Sequence, residues 1–290
     1  MIHVNNLSYS YTRDGRFAVR DISFDIKKGE IFGFLGPSGA GKSTTQGILT
    51  GLLQLQKGDA VVDGYDLHRE DKKRFNHIGM SFEQSNLYGK LTAEENLRYY
   101  AKLFDVPTRD PRQLIDMVGL GGRENQKAGS FSKGQKHRLT FARSLLNSPS
   151  MWFLDEPTTG LDPAIAAQIK DIIRKECDTG VTAFLTTHNM FIADELCDRV
   201  AFIVDGEIKL IDSPKALKLR YGHKTVAVEY RENGEVKKED LAPATDGGKA
   251  RLNEIINTCE IVTMHSREAS LEEIFIKVTG KGLTADETVE

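Results

Sequence analysis

The chain has 290 residues, of which 39% are hydrophobic, so it is long enough for one large α/β domain and a smaller second domain. Its 39 basic and 42 acidic residues give a net charge of -3. That balance provides no basic surface for binding nucleic acid, and we expect no nucleic-acid partner.

The cysteines and the apolar runs indicate where the chain resides. The three cysteines lie far apart, without the spacing of metal ligands, which indicates a reducing cytoplasm. The N-terminus lacks a signal-peptide profile, and the apolar runs are shorter than the roughly 20 residues needed to cross a bilayer. We therefore expect a soluble chain whose role at a membrane depends on a partner.

The first two thirds of the chain predict alternating strands and helices. The first 35 residues alternate like strands, with Leu7, Tyr9 and Tyr11 on one face. IFGFLG then leads into a glycine-rich turn and a helical pattern over residues 42–52, and residues 91–147 are mostly helical by period. The strand MWFL, a second helix, and the strands VTAFLTT and VAFIV follow. This order predicts an α/β fold with a mainly parallel sheet.

The pattern changes after about residue 221. TVAVEYR and EVKKEDL flank an Asn-Gly turn and predict a β-hairpin, followed by a helix near residues 249–257. The strand EIVTMH and a helix capped by Ser270 with Glu273 complete this part. We predict one domain over residues 1–220 and a small α+β C-terminal domain over residues 221–290, with about the last ten residues disordered.

The segment GPSGAGKS has the spacing of a nucleotide phosphate loop. It follows a predicted strand and precedes a predicted helix, which is the context that such a loop requires. Its glycines let backbone N-H groups surround phosphate oxygens, Lys42 reaches the outer phosphates, and the Ser43 hydroxyl can hold Mg2+. The predicted nucleotide-binding residues here are Gly36, Pro37, Ser38, Gly39, Ala40, Gly41, Lys42, Ser43 and Thr44.

A second stretch, GSFSKGQKHRL, also has the features of an anion site. Ser132 can cap a helix and Gln135 can reach back to it, which is the capping-box pattern. Gly134 allows close approach of the backbone, and the N-H groups at a helix start attract anions. The chain therefore carries two predicted phosphate-binding features, and one nucleotide does not need both.

Acidic residues follow the buried strand MWFL. Asp155 is the natural partner of Mg2+, and Glu156 can polarise a water molecule for attack on the γ-phosphate. His188 follows the next strand, at the edge where a nucleotide is expected to lie. These positions predict a hydrolytic site at the carboxyl end of the sheet.

Five motifs in order resemble those of the ATPase subunits of ABC transporters. GPSGAGKST resembles the Walker A motif, FSKGQ the signature motif, FLDEP the Walker B motif with its catalytic glutamate, GLD the D-loop containing Asp162, and TTH the switch histidine. The resemblance covers nearly the whole chain. It implies a P-loop NTPase core of ABC type, in which a β-rich subdomain and a helical subdomain at about residues 84–148 accompany the parallel sheet.

The resemblance also implies cofactors and partners. ATP and Mg2+ would be bound, and two ATPase subunits, as a homodimer or with a close paralogue, would meet head to tail. The signature residues Ser132, Gly134 and Gln135 of one chain would then face ATP on the phosphate loop of the other. An integral membrane permease on a separate chain would hold the protein peripherally at the cytoplasmic face of the cell membrane.

Two further positions are assigned by the resemblance. Tyr11 matches the aromatic residue that stacks on adenine, with Tyr9 as the alternative. IGMSFEQSNLY resembles the Q-loop, but Glu83 stands where glutamine is expected and Gln84 comes one residue later. Glu83 could approach Mg2+ or the attacking water, and a shift of register to Gln84 is the alternative.

The favoured function is ATP hydrolysis that drives export, because the C-terminal hairpin and the SKG variant of the signature resemble exporter subunits of the ABC-2 type. An importer ATPase and a soluble ABC-type mechanoprotein are the alternatives. The latter usually has a long heptad insertion or two tandem ATPase halves, and neither is present. A P-loop kinase would leave FSKGQ, GLD and His188 without a role.

Overall fold

The computed structural model describes residues 1–12, 15–222, 225–232 and 234–282. Its central sheet has six strands in the order β10-β9-β3-β8-β7-β6. Only the β9-β10 pair is antiparallel, as the alternating pattern of strands and helices predicts. The strands are β3 (Ile31–Leu35), β6 (Ile78–Ser81), β7 (Met151–Asp155), β8 (Thr182–Thr187), β9 (Arg199–Val204) and β10 (Glu207–Asp212).

A second, antiparallel sheet of four strands covers one face of the central sheet, in the order β2-β1-β4-β5. A continuous apolar cluster joins the two sheets, in which Phe24 stacks on Phe32 with ring centroids 5.6 Å apart and Phe184 packs against both. This cluster fixes β3 and β8 beneath the phosphate loop. The strands are β1 (Ile2–Tyr9), β2 (Val19–Ile26), β4 (Lys57–Val62) and β5 (Tyr65–Asp66).

Helices form the other face of the central sheet and the predicted helical region, except the helix after the phosphate loop, whose Ile48 and Leu49 pack into the cluster between the two sheets. Trp152 of β7 is fully buried beneath the helix that follows the signature motif, and its indole N-H donates to Ser144 Oγ at 2.8 Å. The described helices up to residue 221 are α1 (Lys42–Thr50), α2 (Ala93–Ala101), α3 (Pro111–Met117), α4 (Lys133–Arg143), α5 (Pro163–Asp178), α6 (Met190–Leu196) and α7 (Pro214–Tyr221). Within the described ranges, no helix is both long and apolar enough to span a membrane.

The C-terminal part forms a three-stranded antiparallel sheet with one helix. The strands are β11 (Thr225–Glu232), β12 (Glu235–Leu241) and β13 (Glu260–Arg267), in the order β12-β11-β13, and α8 spans Asp246–Thr258. Val228, Tyr230 and Ile255 form its small core. The hairpin has the predicted position, but Asn233 of its turn and the predicted disordered residues 283–290 lie outside the described residues.

The last described helix, α9 (Leu271–Thr279), packs on the large domain instead of on this small sheet. Leu271, Ile274 and Phe275 belong to the apolar cluster of the central sheet, and the Phe275 ring lies 5.1 Å from that of Phe202 in β9. The division at residue 220 remains a prediction. The sequence indicated where α9 begins, through the Ser270 and Glu273 capping box, but not the surface on which it packs.

Replacing Phe275 with alanine tests whether α9 belongs to the core. Phe275 is fully buried, and we expect Phe275→Ala to lower the free energy of unfolding by about 3 to 5 kcal/mol. Phe191→Ala is the matched control, because Phe191 is 71% exposed, and its cost should stay below about 1 kcal/mol. Urea titrations of both variants give the comparison, and equal losses in the two would contradict the packing of α9 described above.

Candidate active site

A cavity of about 520 Å3 lies at the carboxyl ends of β3, β7 and β8. These strands run parallel, so the residues that follow them in the chain meet at one edge of the sheet. The cavity brings together most of the site residues predicted from the sequence. Its lining consists of Tyr11, Ala18, Ser38, Gly39, Gly41, Lys42, Ser43, Thr44, Glu83, Asp155, Glu156 and His188.

The phosphate loop, residues 36–43, is held tightly against β9 and the start of β2. A Cβ added to Gly36 would lie 2.2 Å from the carbonyl oxygen of Ile203, so only glycine fits there. Gly41 has φ +108, a left-handed conformation that favours glycine, and it precedes the first residue of α1. Gly36, Pro37 and Ala40 belong to the loop but not to the cavity lining. The backbone of the loop and the first turn of α1 therefore line the cavity.

Lys42 is held in the loop by its own backbone. Its Nζ donates to the carbonyl oxygens of Gly36 at 2.7 Å and Pro37 at 2.9 Å. Burial lowers the pKa of Lys42, and the carboxylates of Glu156 and Asp155 counteract this shift in part. A bound phosphate would supply a closer negative charge and favour the ammonium form.

Asp155 is the last residue of β7 and is tied to the neighbouring strand. The Thr186 hydroxyl lies 2.6 Å from Asp155 Oδ1 and 3.0 Å from the Gln46 side chain of α1. The pKa of Asp155 is raised, chiefly by burial and further by the charges of Glu156 and Glu83. A divalent cation beside this carboxylate would remove that penalty.

The donor set in the cavity fits Mg2+. Ser43, Asp155 and Glu83 offer only oxygen atoms, the ligand type that Mg2+ prefers. The described residues contain no cluster of three or more His, Cys, Asp or Glu that could hold a metal by themselves. Mg2+ sites commonly use one or two carboxylates together with substrate phosphates, so the arrangement agrees with a metal that is bound along with nucleotide.

Glu156 is buried, and its carboxylate is oriented by hydrogen bonds from several directions. The backbone N-H of His188 donates to Oε1 at 2.9 Å, and His188 Nδ1 lies 2.6 Å from the same oxygen. The hydroxyls of Thr187 and Thr159 donate to Oε2 at 2.8 and 3.1 Å. Glu156 also has φ +47, a conformation that costs a residue other than glycine roughly 1 to 2 kcal/mol. Its geometry is therefore maintained by its neighbours.

The two candidate Q-loop residues differ in position. Glu83 lines the cavity, whereas Gln84 does not. Glu83 is exposed on the wall of the cavity. This placement supports Glu83 for the role near Mg2+ or water, which remains a prediction.

Tyr11 lies at the mouth of the cavity. Its side chain is 64% exposed, and its hydroxyl shares a hydrogen bond of 3.2 Å with Thr44 Oγ1. β1 ends at Tyr9, so Tyr11 is not part of the strand face on which the sequence placed it with Leu7 and Tyr9. Tyr9 is buried and packs edge-on against Tyr11 at 5.0 Å, so the Tyr11 ring is the one available for stacking on a base.

The signature turn, residues 132–135, lies outside this cavity. Ser132 Oγ accepts from the Gln135 backbone N-H at 3.2 Å, and Gln135 Oε1 accepts from the Ser132 N-H at 2.9 Å, so the predicted capping box is present. Gly134 packs beside Leu161, and Asp162 caps α5. The two features that the sequence predicts as anion sites therefore do not line the same cavity of one chain.

His137 of α4 was not identified from the sequence. It is only 4% exposed, and its Nε2 has no hydrogen-bond partner in the described residues. Burial lowers its pKa, with the Glu83 charge and the Thr159 backbone acting in the opposite direction. An unpaired buried polar atom costs roughly 1 to 3 kcal/mol where no water reaches it. Its position shortly after FSKGQ is the one local feature that could have drawn attention to it.

Comparison with known proteins places the chain in a family. The ABC transporter family model matches residues 19–159. A fluoroquinolones export ATP-binding protein of Mycobacterium tuberculosis is 47% identical over 98% of this chain and 95% of that protein. The linearmycin resistance ATP-binding protein of Bacillus subtilis is 30% identical over 98% of this chain and 99% of that protein.

A solved structure gives the same result for the fold. The dimeric structure of a post-hydrolysis state of an ATP-binding cassette, bound to ADP and Pi, aligns with this chain at a TM-score of 0.68 and 26% identity. The alignment covers 74% of this chain and 99% of that chain. The shared fold and the cavity geometry agree with the sequence relatives. The chain belongs to the ABC transporter family, as one of its ATP-binding proteins.

Proposed function

We propose that the chain hydrolyses ATP at two sites shared between two ATPase subunits that meet head to tail, and that this cycle powers export through a separate membrane permease. One observation carries the proposal. The phosphate loop and the signature turn are both built for anions, yet the signature turn does not line the cavity of its own chain. A second subunit, identical or a close paralogue, supplies the missing half of each site.

The residues of the cavity have distinct roles in this proposal. The phosphate loop and Lys42 bind the phosphates of ATP, and Tyr11 stacks on adenine. Ser43 and Asp155, with Glu83 nearby, would hold Mg2+, which neutralises developing charge on the phosphates. Glu156 accepts the proton of the attacking water, and His188 holds the Glu156 carboxylate at 2.6 Å. Ser132 and the first turn of α4 in the partner subunit face the γ-phosphate.

A groove beside the cavity is the proposed contact for the permease. It has a volume of about 200 Å3, and the rings of Phe75, Phe82, Tyr100 and Phe104 contribute to its lining. Asn147 also lines it, with a buried Oδ1 that lacks a partner in the described residues. The groove therefore suits an apolar permease segment that carries one hydrogen-bond donor. Such contact would hold the chain at the cytoplasmic face of the cell membrane.

The groove is connected to the cavity through the segment that contains Glu83. Arg143 forms part of the groove, and its guanidinium lies 4.4 Å from the centre of the Tyr100 ring. The same guanidinium donates to the Asn86 side chain at 2.7 Å. Asn86 is three residues from Glu83 in the chain. A permease segment that moves Arg143 in the groove would therefore also move the segment that carries Glu83 in the cavity.

The export direction is supported by the relatives. The two proteins compared above are an export ATP-binding protein and a resistance ATP-binding protein, and both align over nearly the whole of this chain, including its C-terminal part. The small C-terminal sheet is thus part of the shared sequence. These similarities favour export over import for this chain.

Mixing two inactive variants tests the shared sites. Lys42→Ala removes the phosphate-loop contact, and Ser132→Arg blocks the signature turn, so each homodimer should have almost no ATPase activity. A mixed dimer contains one site with both defects and one intact site. We expect activity to return on mixing and to rise with protein concentration, as a dimerisation step requires.

The control is each variant measured alone, at the same total protein concentration as the mixture. If mixing restores no steady-state ATPase activity at any concentration, the proposed pairing of Lys42 and Ser132 across chains is contradicted.

Alanine substitutions in the Q-loop test the role of Glu83. We expect Glu83→Ala to reduce Mg2+-dependent hydrolysis more than Gln84→Ala does, because only Glu83 lines the cavity and only a carboxylate adds a metal-directed ligand. Steady-state ATPase rates measured across a Mg2+ titration make the comparison, with Gln84→Ala as the neighbouring control. A larger loss in the Gln84 variant would assign the role to Gln84 instead.

A further inference from the structure

The turn between β9 and β10, formed by Asp205 and Gly206, lies against the phosphate loop. Gly206 is buried, and its backbone N-H donates to the carbonyl oxygen of Ala40, within the loop, at 3.0 Å. Its own carbonyl oxygen accepts from the Arg20 N-H of β2 at 2.8 Å. Through these two backbone hydrogen bonds, one glycine joins the phosphate loop to β2 and to the hairpin of β9 and β10.

The hydrogen bond to Ala40 also sets the direction of the next N-H group in the loop. A trans peptide unit is planar, and its C=O and N-H bonds point in opposite directions. Because the Ala40 carbonyl oxygen is directed at Gly206, the N-H of Gly41 in the same peptide unit points away from the turn. Gly41 lines the cavity, where backbone N-H groups are the donors that phosphate oxygens require. The bond therefore keeps this peptide unit from turning its carbonyl oxygen, an acceptor, toward a phosphate.

The space around Gly206 admits no side chain. A Cβ added there would lie 2.8 Å from the carbonyl oxygen of Ala18, and a Cβ added to Gly41 would lie 2.6 Å from the same oxygen. The turn, the loop and the residue before β2 are thus in backbone contact around one carbonyl group. Ala18 itself lines the cavity. Because closely packed backbone cannot move aside as a flexible side chain can, a side chain at position 206 would displace the segments that shape the loop.

The chain that follows α9 contacts the same turn. Lys281 comes directly after the glycine that ends α9, and its Nζ lies 2.5 Å from Asp205 Oδ2. α9 is fixed on the central sheet by the buried Phe275, whose ring lies 5.1 Å from that of Phe202 in β9. Both partners of the ion pair are at least half exposed, so the pair contributes little to the stability of the whole fold. Its effect is local, because it restrains the turn that holds Ala40.

We propose that Gly206 is a positioning residue for the phosphate loop, whose N-H keeps the peptide unit of Ala40 and Gly41 oriented for phosphate binding, and that Lys281 restrains this turn. The inference rests on the proposed function, in which the loop binds the phosphates of ATP. It gives the end of α9 an influence on phosphate affinity, although the cavity lining described above includes no residue of α9.

A second Asp-Gly turn in the chain provides a matched control. Asp63 and Gly64 join β4 to β5 with φ values of +50 and +82, and the values for Asp205 and Gly206 are +52 and +78. A Cβ added to Gly64 would have no atom of the described residues within 4 Å. Alanine at either glycine carries the same cost of a positive φ, so the two substitutions differ in what the added Cβ meets.

Binding of inorganic tripolyphosphate to the full chain, measured by calorimetry with Mg2+ present, requires no base, no hydrolysis and no dimer. We expect Gly206→Ala to weaken this binding at least about tenfold. Gly64→Ala should leave it within about twofold of the unaltered chain. ATP affinity should fall by the same factor as tripolyphosphate affinity, because the change acts at the phosphates. Unchanged tripolyphosphate binding in folded Gly206→Ala protein, or an equal loss in both variants, would overturn the inference.

Two mild substitutions test the role of Lys281. Lys281→Met and Asp205→Asn each break the ion pair, and asparagine also tolerates the left-handed conformation at position 205. By charge alone, loss of the cation would weaken phosphate binding and loss of the anion would strengthen it. We expect both variants to weaken tripolyphosphate binding about threefold, and the double variant to bind no more weakly than either single variant. Opposite effects of the two substitutions, or no effect of either, would remove Lys281 from this role.

The unaltered chain distinguishes failure of this inference from failure of the proposed function. If it binds neither tripolyphosphate nor ATP, the proposed function is contradicted and the inference falls with it. If it binds both, and Gly206→Ala binds them as tightly, only the positioning role is wrong. Circular dichroism shows whether each variant is folded, and if Gly206→Ala is not, the Lys281 and Asp205 variants decide the question.

Discussion

Backbone hydrogen bonds between β3 and β8, and between β8 and β7, set the geometry on which the catalytic site depends. Their parallel register places Leu35 beside Thr187, and Asp155 beside Thr186. The phosphate loop, the acidic pair and His188 all follow directly from these strand ends. Because the phenylalanine cluster between the two sheets fixes β3 and β8 from below, the loops above them are attached to a rigid base.

In the proposed function, one chain alone holds only part of each site. The cavity provides a lysine, a phosphate loop, oxygen ligands and an oriented carboxylate, but the signature turn does not line it. An anion site made by a capped helix start is useful only when a phosphate reaches it. In the shared-site account, that phosphate comes with the partner subunit, and closure of the dimer completes both sites together.

Much of this arrangement was predictable from local sequence. The phosphate loop, the capping box at Ser132 and the strand ending at Asp155 depend on residues that are close in the chain, so spacing alone indicates them. The packing of α9 and the burial of His137 depend on contacts between distant segments. Phe275 meets Phe202, and His137 becomes buried, only after the sheet has formed. No short pattern indicates such contacts. Tyr11, predicted on the strand face of Leu7 and Tyr9, lies beyond the end of β1, where its hydroxyl meets Thr44.

Cross-linking between chains tests the shared-site account most directly. One chain would carry Ser38→Cys and a differently tagged chain Lys133→Cys, both with Cys259→Ser, since Cys259 is the only one of the three cysteines that is not buried. The account predicts a disulfide-linked heterodimer on a non-reducing gel when ATP is present and none without it. Absence of this species with ATP, together with an internal crosslink in a single chain that carries both cysteines, would contradict it.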